Sequence, residues 1–125
     1  MIDPLSGIPA NIDVQPSARK LLRELSPEVR TLIFRLLEVM ERSARDYSIP
    51  IAKTELVTDQ DPEEGTKRIE IRQWVGLSHE AAMDYWEKIG HSVDNWIVQL
   101  PDQAADQLAE WVSFAVYPKA SDAAA

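Results

Sequence analysis

Three carboxylates and one imidazole follow one another at helical spacing in the second half of the chain. They are Glu80, Asp84, Glu87 and His91, and steps of four, three and four residues place them along one stripe of a helix. Such groups bind divalent cations when a second helix supplies facing ligands. This stripe lies opposite the apolar face of its own helix, so we expect it to face water. We therefore predict no metal site and no cofactor. These four residues are the weak candidates for metal ligands against which that prediction is made.

Most catalytic chemistry lacks its residues in this chain. Without cysteine there is no thiolate nucleophile, no disulfide and no sulfur-ligated zinc. His79 and Glu80 begin as the zinc-protease motif H-E-x-x-H does, but Met83 stands where that motif needs its second histidine. The sequence contains no G-x-S-x-G elbow, and its four glycines are too scattered for a nucleotide-binding loop. These exclusions predict no catalytic residue and favour a protein that is not an enzyme.

Trp74 is the aromatic residue best suited to contact another molecule. It alternates with Arg72, Glu70 and Arg68 on one side of a predicted strand, while the apolar residues between them point to the other side. Trp and Arg are enriched at the energetic centres of protein interfaces. Phe34, on the charged side of a predicted helix, is a further candidate for partner binding. The sequence leaves open the alternative that Trp74 only stacks on its own Arg neighbours.

The elements that position these residues follow from the period of the apolar residues. Steps of three and four residues predict four helices, and a period of two predicts two strands. Ser26 and Ser78 are typical helix N-caps, and a long polar segment with Pro62 and Gly65 connects the strands. The predicted helices cover about residues 17–25, 27–47, 79–100 and 102–117, and the predicted strands cover about residues 52–58 and 67–75.

The 125 residues are enough for one domain, and these elements predict the α+β class in the order α-α-β-β-α-α, with the helices packed on one face of a β-hairpin. Residues 1–16 predict an extended N-terminal arm, residues 17–118 the domain, and residues 119–125 a flexible tail. A two-stranded hairpin is marginal in water, so it must lie on the helices or pair with another hairpin. Pairing across a two-fold axis would give a homodimer with a four-stranded sheet.

The acidic character of the chain is confined to its later part. Residues 1–50 contain as many acids as bases, so the entire net charge of −8 lies in residues 51–125. Two explanations remain open. Arginines of the first helices could meet the acidic last helices, or the acidic part could face outward toward a basic partner. Either way, the charge disfavours nucleic acid as a partner.

The sequence predicts a cytoplasmic protein without a membrane partner. Its first residues lack the charged and apolar regions of a signal peptide, and no apolar run approaches the ~20 residues that cross a bilayer.

The function expected from these features is that of a small regulatory or adaptor protein, a non-catalytic module that binds another, unidentified protein. One alternative is an acidic inhibitor of a basic protein, of the antitoxin, immunity-protein or nucleic-acid-mimic type. A second alternative is a small-molecule-binding or enzymatic domain, which requires a pocket at the junction of the helices and the hairpin.

Overall fold

The computed structural model describes Leu5, residues 8–60, Glu63 and residues 65–119. Within this part of the chain, four helices accompany four strands in the order β-α-α-β-β-α-α-β. The strands are β1 (Ile12–Val14), β2 (Ile51–Gln60), β3 (Lys67–Val75) and β4 (Val112–Pro118), and the helices are α1 (Pro16–Glu24), α2 (Pro27–Asp46), α3 (His79–Ile97) and α4 (Asp102–Trp111).

The two longest helices begin at serine caps. The Ser26 hydroxyl accepts a hydrogen bond from the Val29 amide at the start of α2, and the Ser78 hydroxyl accepts one from the Ala81 amide at the start of α3. Each cap satisfies an amide that has no partner inside its helix. After α2 the chain reverses direction through Ser48, whose φ of 55° lies in the left-handed region. Among the described residues, no helix is long and apolar enough to span a membrane.

The four strands form one mixed sheet in the order β1-β2-β3-β4. The central strands β2 and β3 are antiparallel, and each is flanked by a parallel strand, β1 beside β2 and β4 beside β3. The α+β class is confirmed. The predicted order α-α-β-β-α-α is wrong, because the two strands are the centre of a larger sheet and not an isolated hairpin. One chain therefore supplies all four strands that we assigned to a homodimer.

Strand β1 was not predicted because it is short. Among the described residues of the segment assigned to an extended arm, three enter the sheet, and they pair in parallel with β2 at Ile12 and Thr54 and at Val14 and Leu56. Three residues are too few to establish a period of two. Leu5, from the same segment, is buried among core residues.

The last strand replaces the end of the predicted fourth helix. That helix was expected to continue to residue 117, but it ends at Trp111, where the Val112 amide closes its last turn on the Leu108 carbonyl. The segment from 112 to 118 is rich in β-branched and aromatic residues, which favour a strand, and β3 offers it an unpaired edge. Of the predicted tail, only Lys119 is described, and residues 120–125 lie outside the described part.

The helices cover one face of the sheet, which we call the inner face. On β3 the inner residues alternate with partly exposed ones, and Leu56 of β2 joins them in the core. The helices contribute most of the other buried side chains, among them Ala18, Leu22, Ile33, Met40, Ile89 and Val93, and β4 adds Val112 and Val116. The opposite, outer face carries no described helix.

One polar pair lies within this core. Gln73 is an inner residue of β3, and its Oε1 accepts a hydrogen bond of 2.7 Å from the Tyr85 hydroxyl of α3. Both side chains are almost fully buried. Burial raises the pKa of the Tyr85 phenol, and the hydrogen bond to Gln73 lowers it by less. The pair therefore joins α3 to the middle of the sheet in a neutral form.

Removal of one partner of this pair should destabilise the fold more than removal of both. Tyr85→Phe leaves a buried amide oxygen without its donor, so we expect a loss of about 1–3 kcal/mol in the free energy of unfolding. The double variant Tyr85→Phe with Gln73→Leu leaves neither group unpaired and should recover most of that loss. Urea denaturation of the three proteins measures the difference. Equal stability of the single and double variants would contradict the assignment.

Candidate functional site

The outer face of the sheet is a polar and aromatic surface. Strand register places alternate residues of all four strands side by side on it, with Lys53 of β2 beside Trp74 of β3 and Tyr117 of β4 beyond. The outer-face residues are Asp13, Lys53, Glu55, Val57, Asp59, Arg68, Glu70, Arg72, Trp74, Ser113, Ala115 and Tyr117.

Glu55 holds one half of this face together. Its Oε1 accepts a 2.8 Å hydrogen bond from the indole Nε1 of Trp74, and its Oε2 lies 3.3 Å from the Lys53 Nζ. Lys53 also lies 3.3 Å from the Asp13 carboxylate, and Gln15 donates to Glu55 at 3.5 Å. Glu55 is 6% exposed although none of the described helices covers it. Its neighbours on the sheet therefore exclude most of the solvent.

Glu70 holds together the other half of the outer face, on the side of β4. Its Oε2 accepts hydrogen bonds of 3.1 Å from both Nε and Nη2 of Arg72, and its Oε1 accepts one of 3.1 Å from the Tyr117 hydroxyl. The Arg72 guanidinium lies over the Tyr117 ring, 5.7 Å from its centroid. A carboxylate, a guanidinium and a phenol are thus fixed relative to one another.

An aromatic stack joins the two halves. The rings of Trp74 and Tyr117 lie with centroids 4.8 Å apart and planes 27° apart. Trp74 is tied to Glu55 by its indole nitrogen and Tyr117 to Glu70 by its hydroxyl. The resulting network runs from β1 across the sheet to β4. Since each aromatic ring is held at both its polar atom and its face, the surface is ordered before any partner arrives.

Charges and burial shift the pKa of four groups in the network, Glu55, Lys53, Arg72 and Tyr117. Burial alone would raise the pKa of Glu55, but hydrogen bonds from Trp74 and Lys53, with the charge of Lys53, lower it below its ordinary value. The pKa of Lys53 is raised by its contacts with Asp13 and Glu55. Burial, followed by the charge of Glu70, raises the pKa of the Tyr117 phenol. Glu55 is therefore ionised at neutral pH and saturated with donors, which suits a fixed binding surface better than proton transfer.

The residues predicted to bind a partner divide between two sides of the sheet. Trp74, Arg72 and Arg68 share the outer face. Arg68 lies at one end of β3, where its Nη2 donates to the carbonyls of Ala109 and Val112 at the turn from α4 into β4. Phe34 lies on α2, in the helix layer, and packs against the core. The structure does not bring Phe34 together with the other three.

Several residues of the network were not among the predicted binding residues, and Tyr117 and Glu55 are the most central of them. Tyr117 was assigned to a helix, so its place beside Trp74 could not be inferred. Glu55 lies on a predicted strand, and the alternation of Lys53, Glu55 and Val57 would have placed its carboxylate on the side of Trp74 had the register of the hairpin been known. A long connection left that register open.

The predicted metal candidates lie on a different surface. Glu80, Asp84, Glu87 and His91 are all exposed on α3. Among the described residues, no group of three or more potential ligands is arranged to hold a metal ion.

The acidic residues of the last two helices face solvent. Seven carboxylates of α3 and α4 are exposed, and Lys88 is the only lysine or arginine of these helices. We call this set the acidic band: Glu80, Asp84, Glu87, Asp94, Asp102, Asp106 and Glu110. The carboxylates are accessible to a molecule outside the chain.

A cavity lies where α2 meets the inner face of the sheet. Its volume is about 200 Å³, and Met40, Ile12, Ile49 and the buried Gln73 are among its lining residues. Sites for drug-sized ligands usually measure about 300–1,000 Å³, so this cavity has room only for a ligand smaller than that.

Comparison of the chain with protein-family models, with curated proteins and with solved structures finds no significant match. A functional assignment therefore rests on the geometry of the chain itself.

The lowered pKa of Glu55 predicts that its contribution to stability depends on pH. A carboxylate whose pKa is lower in the folded than in the unfolded state stabilises the fold above its unfolded pKa, about 4.3, and loses this contribution as the pH falls through the folded value. We expect Glu55→Gln to lower the free energy of unfolding by about 1–3 kcal/mol at neutral pH. The difference from the wild type should shrink in acid.

The matched control is Asp59→Asn, which removes the same charge from an exposed position on the same strand and face. Urea denaturation over a series of pH values compares the three proteins. A wild-type advantage over Glu55→Gln that stays constant as the pH falls below about 4 would contradict the assigned role of the carboxylate.

Proposed function

We propose that this chain is a small, non-catalytic regulatory or adaptor module of the cytosol that binds another protein through the outer face of its sheet. The observation that carries the proposal is the ordered cluster of Trp74, Tyr117 and Arg72 on a sheet face that no described helix covers. Tyr, Trp and Arg are the residue types most enriched at interface hot spots.

Order within the cluster supports binding because association costs less when side chains are already immobilised. Free aromatic and arginine side chains lose about 0.5–1.5 kcal/mol each on being fixed at an interface. On the outer face, the carboxylates of Glu55 and Glu70 already hold Trp74, Arg72 and Tyr117 in place. All three side chains remain partly exposed and can be covered by a partner.

The balance of charge on the outer face favours a protein over a nucleic acid. The face carries four acidic residues and three basic ones, so it presents no positive field to a phosphate backbone. Mixed charges around an aromatic centre are typical of the rim and core of a protein interface.

Loss of the aromatic and arginine contacts should abolish partner capture. We expect Trp74→Ala with Arg72→Ala to lose proteins that the wild-type chain retains in affinity purification followed by mass spectrometry. Truncation of hot-spot residues weakens binding by about 2 kcal/mol or more each, which lowers retention at least about tenfold.

The control is Tyr47→Ala with Arg42→Ala, which also removes one aromatic residue and one arginine, from exposed positions on and just after α2. Circular dichroism confirms that both double variants are folded. If the Trp74 and Arg72 variant retains every partner of the wild type, the outer face is not the binding surface.

A second candidate function rests on the acidic band. Seven exposed carboxylates against one lysine make α3 and α4 suitable for a basic protein, as expected of an inhibitor that occupies a nucleic-acid-binding surface. The acidic band belongs to the helix layer, whereas the outer face lies on the other side of the sheet. The two candidate surfaces can therefore be tested separately.

Salt dependence distinguishes the two candidates. Binding through the acidic band should weaken steeply with ionic strength, because charges separated by more than about 8 Å are largely screened at physiological salt. Replacement of Asp84, Glu87 and Asp94 by Asn, Gln and Asn should reduce both affinity and salt dependence. Binding that is insensitive to salt and to these replacements would remove this candidate.

A further inference from the structure

The edge of β4 that faces away from β3 has no partner strand among the described residues. β4 lies at the end of the sheet, with β3 on one side. Among the described residues, no backbone group pairs with β4 from its other side. The opposite edge of the sheet is β1, which has only three residues, so β4 is by far the longer free edge.

The backbone groups that point out of this edge can be assigned from the parallel ladder. The Lys119 amide donates to the Val75 carbonyl of β3, and successive residues of a strand point their amides to opposite sides. Residues 113, 115 and 117 therefore face β3, while Phe114 and Val116 direct their N–H and C=O groups outward.

The remaining even-numbered positions of β4 have no outward amide to offer. The Val112 amide is taken by the Leu108 carbonyl of α4, and the Val112 carbonyl already accepts from Arg68. Pro118 has no N–H group, and proline is tolerated at a strand position that faces away from the ladder. Two outward amides remain, at Phe114 and Val116.

β4 itself carries no charged side chain. The segment from 112 to 118 has the sequence VSFAVYP, without a lysine, arginine, aspartate or glutamate. Edge strands of proteins that remain alone are usually shielded by charged side chains, bulges or covering segments. In a chain with a net charge of −8, an uncharged edge is also where a second copy can approach with the least repulsion.

We propose that β4 pairs antiparallel with β4 of a second copy, about a two-fold axis at Ala115. In this register Phe114 lies opposite Val116 of the second copy, and the two residues exchange both of their hydrogen bonds. The two-fold axis repeats the exchange, so all four outward amides of the two edges are paired. The product is a continuous eight-stranded sheet with closed symmetry.

Neighbouring antiparallel registers leave the outward carbonyl of Val116 or of Phe114 without an amide donor. With Phe114 opposite its own copy, Val116 would face Val112, whose amide is already bonded. With Val116 opposite its own copy, Phe114 would face Pro118, which has no amide. The register at Ala115 is therefore the one that the backbone itself favours.

Side chains fit the same register. Phe114 and Val116 form an aromatic and β-branched cross-strand pair on the inner face, a combination that stabilises antiparallel strands. An apolar cavity of about 140 Å³, lined by Ile97, Leu108 and Phe114 among others, lies beside them. On the outer face, two small Ala115 side chains meet at the axis, where the strands approach most closely.

Charged residues introduced at position 115, on the two-fold axis, test the pairing. Ala115→Glu places two carboxylates opposite each other, and Ala115→Lys places two ammonium groups there, so each variant alone should dissociate at least about tenfold more readily than the wild type. An equimolar mixture of the two should restore the dimer, because each Glu then meets a Lys. Analytical ultracentrifugation at micromolar concentration measures all four samples.

A single cysteine gives an independent test, because the chain has none of its own. In the proposed dimer the Cα atoms of residue 115 lie about 4.5 Å apart, which is within the range of a disulfide. Ala115→Cys should therefore form a covalent dimer on mild oxidation. Ser113→Cys is the control, since its two copies would lie about 14 Å apart.

The proposal is supported by a wild-type dimer, loss of the dimer in both charge variants, its return in their mixture, and a disulfide at position 115 but not at 113. It is overturned by a wild-type chain that sediments as a monomer, which would leave the edge unpaired or open to a strand of another protein. A dimer that persists in both charge variants, or equal cross-linking at 113 and 115, overturns it as well.

Discussion

The alternation of apolar and polar residues along β3 is the constraint on which the rest of the structure depends. Ile69, Ile71 and Val75 enter the core, and the residues between them form the outer face. Because β3 is paired on both sides, its alternation fixes which side of β2 and β4 faces the helices. A shift of one residue would bury Arg72 and Trp74 beneath the helices and expose the isoleucines.

The polar network of the outer face is a consequence of that alternation, because the residues of β3 that do not enter the core lie on this face. A sheet face without covering helices must be stable in water and resist non-specific association. Here the side chains of the face hydrogen-bond to one another, and the two glutamates accept from donors on β2, β3 and β4. The same contacts that lower the solvent exposure of Glu55 also orient Trp74, so the stability of this face and its suitability for binding have one origin.

Sequence reasoning succeeded where a long segment repeats one period. The helix α2 and the strand β3 have clear periods of 3.6 and 2, and serine caps mark the starts of α2 and α3. It failed at Val112–Pro118, because these residues fit a helical period as well as an alternating one, and their preference for a strand is realised by pairing with the edge of β3. In the candidate site, the shared face of Glu70, Arg72 and Trp74 followed from β3 alone. Glu55 and Tyr117 required the register with β2 and β4, which is set by contacts distant in the sequence.

The parallel pairing of the two outer strands has a consequence for how the chain folds. β1 meets β2, and β4 meets β3, only after roughly forty intervening residues with two helices have been arranged, as in the pairs Ile12 with Thr54 and Ile71 with Phe114. The hairpin of β2 and β3 needs far shorter loop closure. We therefore expect the sheet to form from its centre outward, with its two edges the last parts to gain order. Until β1 and β4 have paired, the free edges of β2 and β3 are open to backbone pairing with other strands.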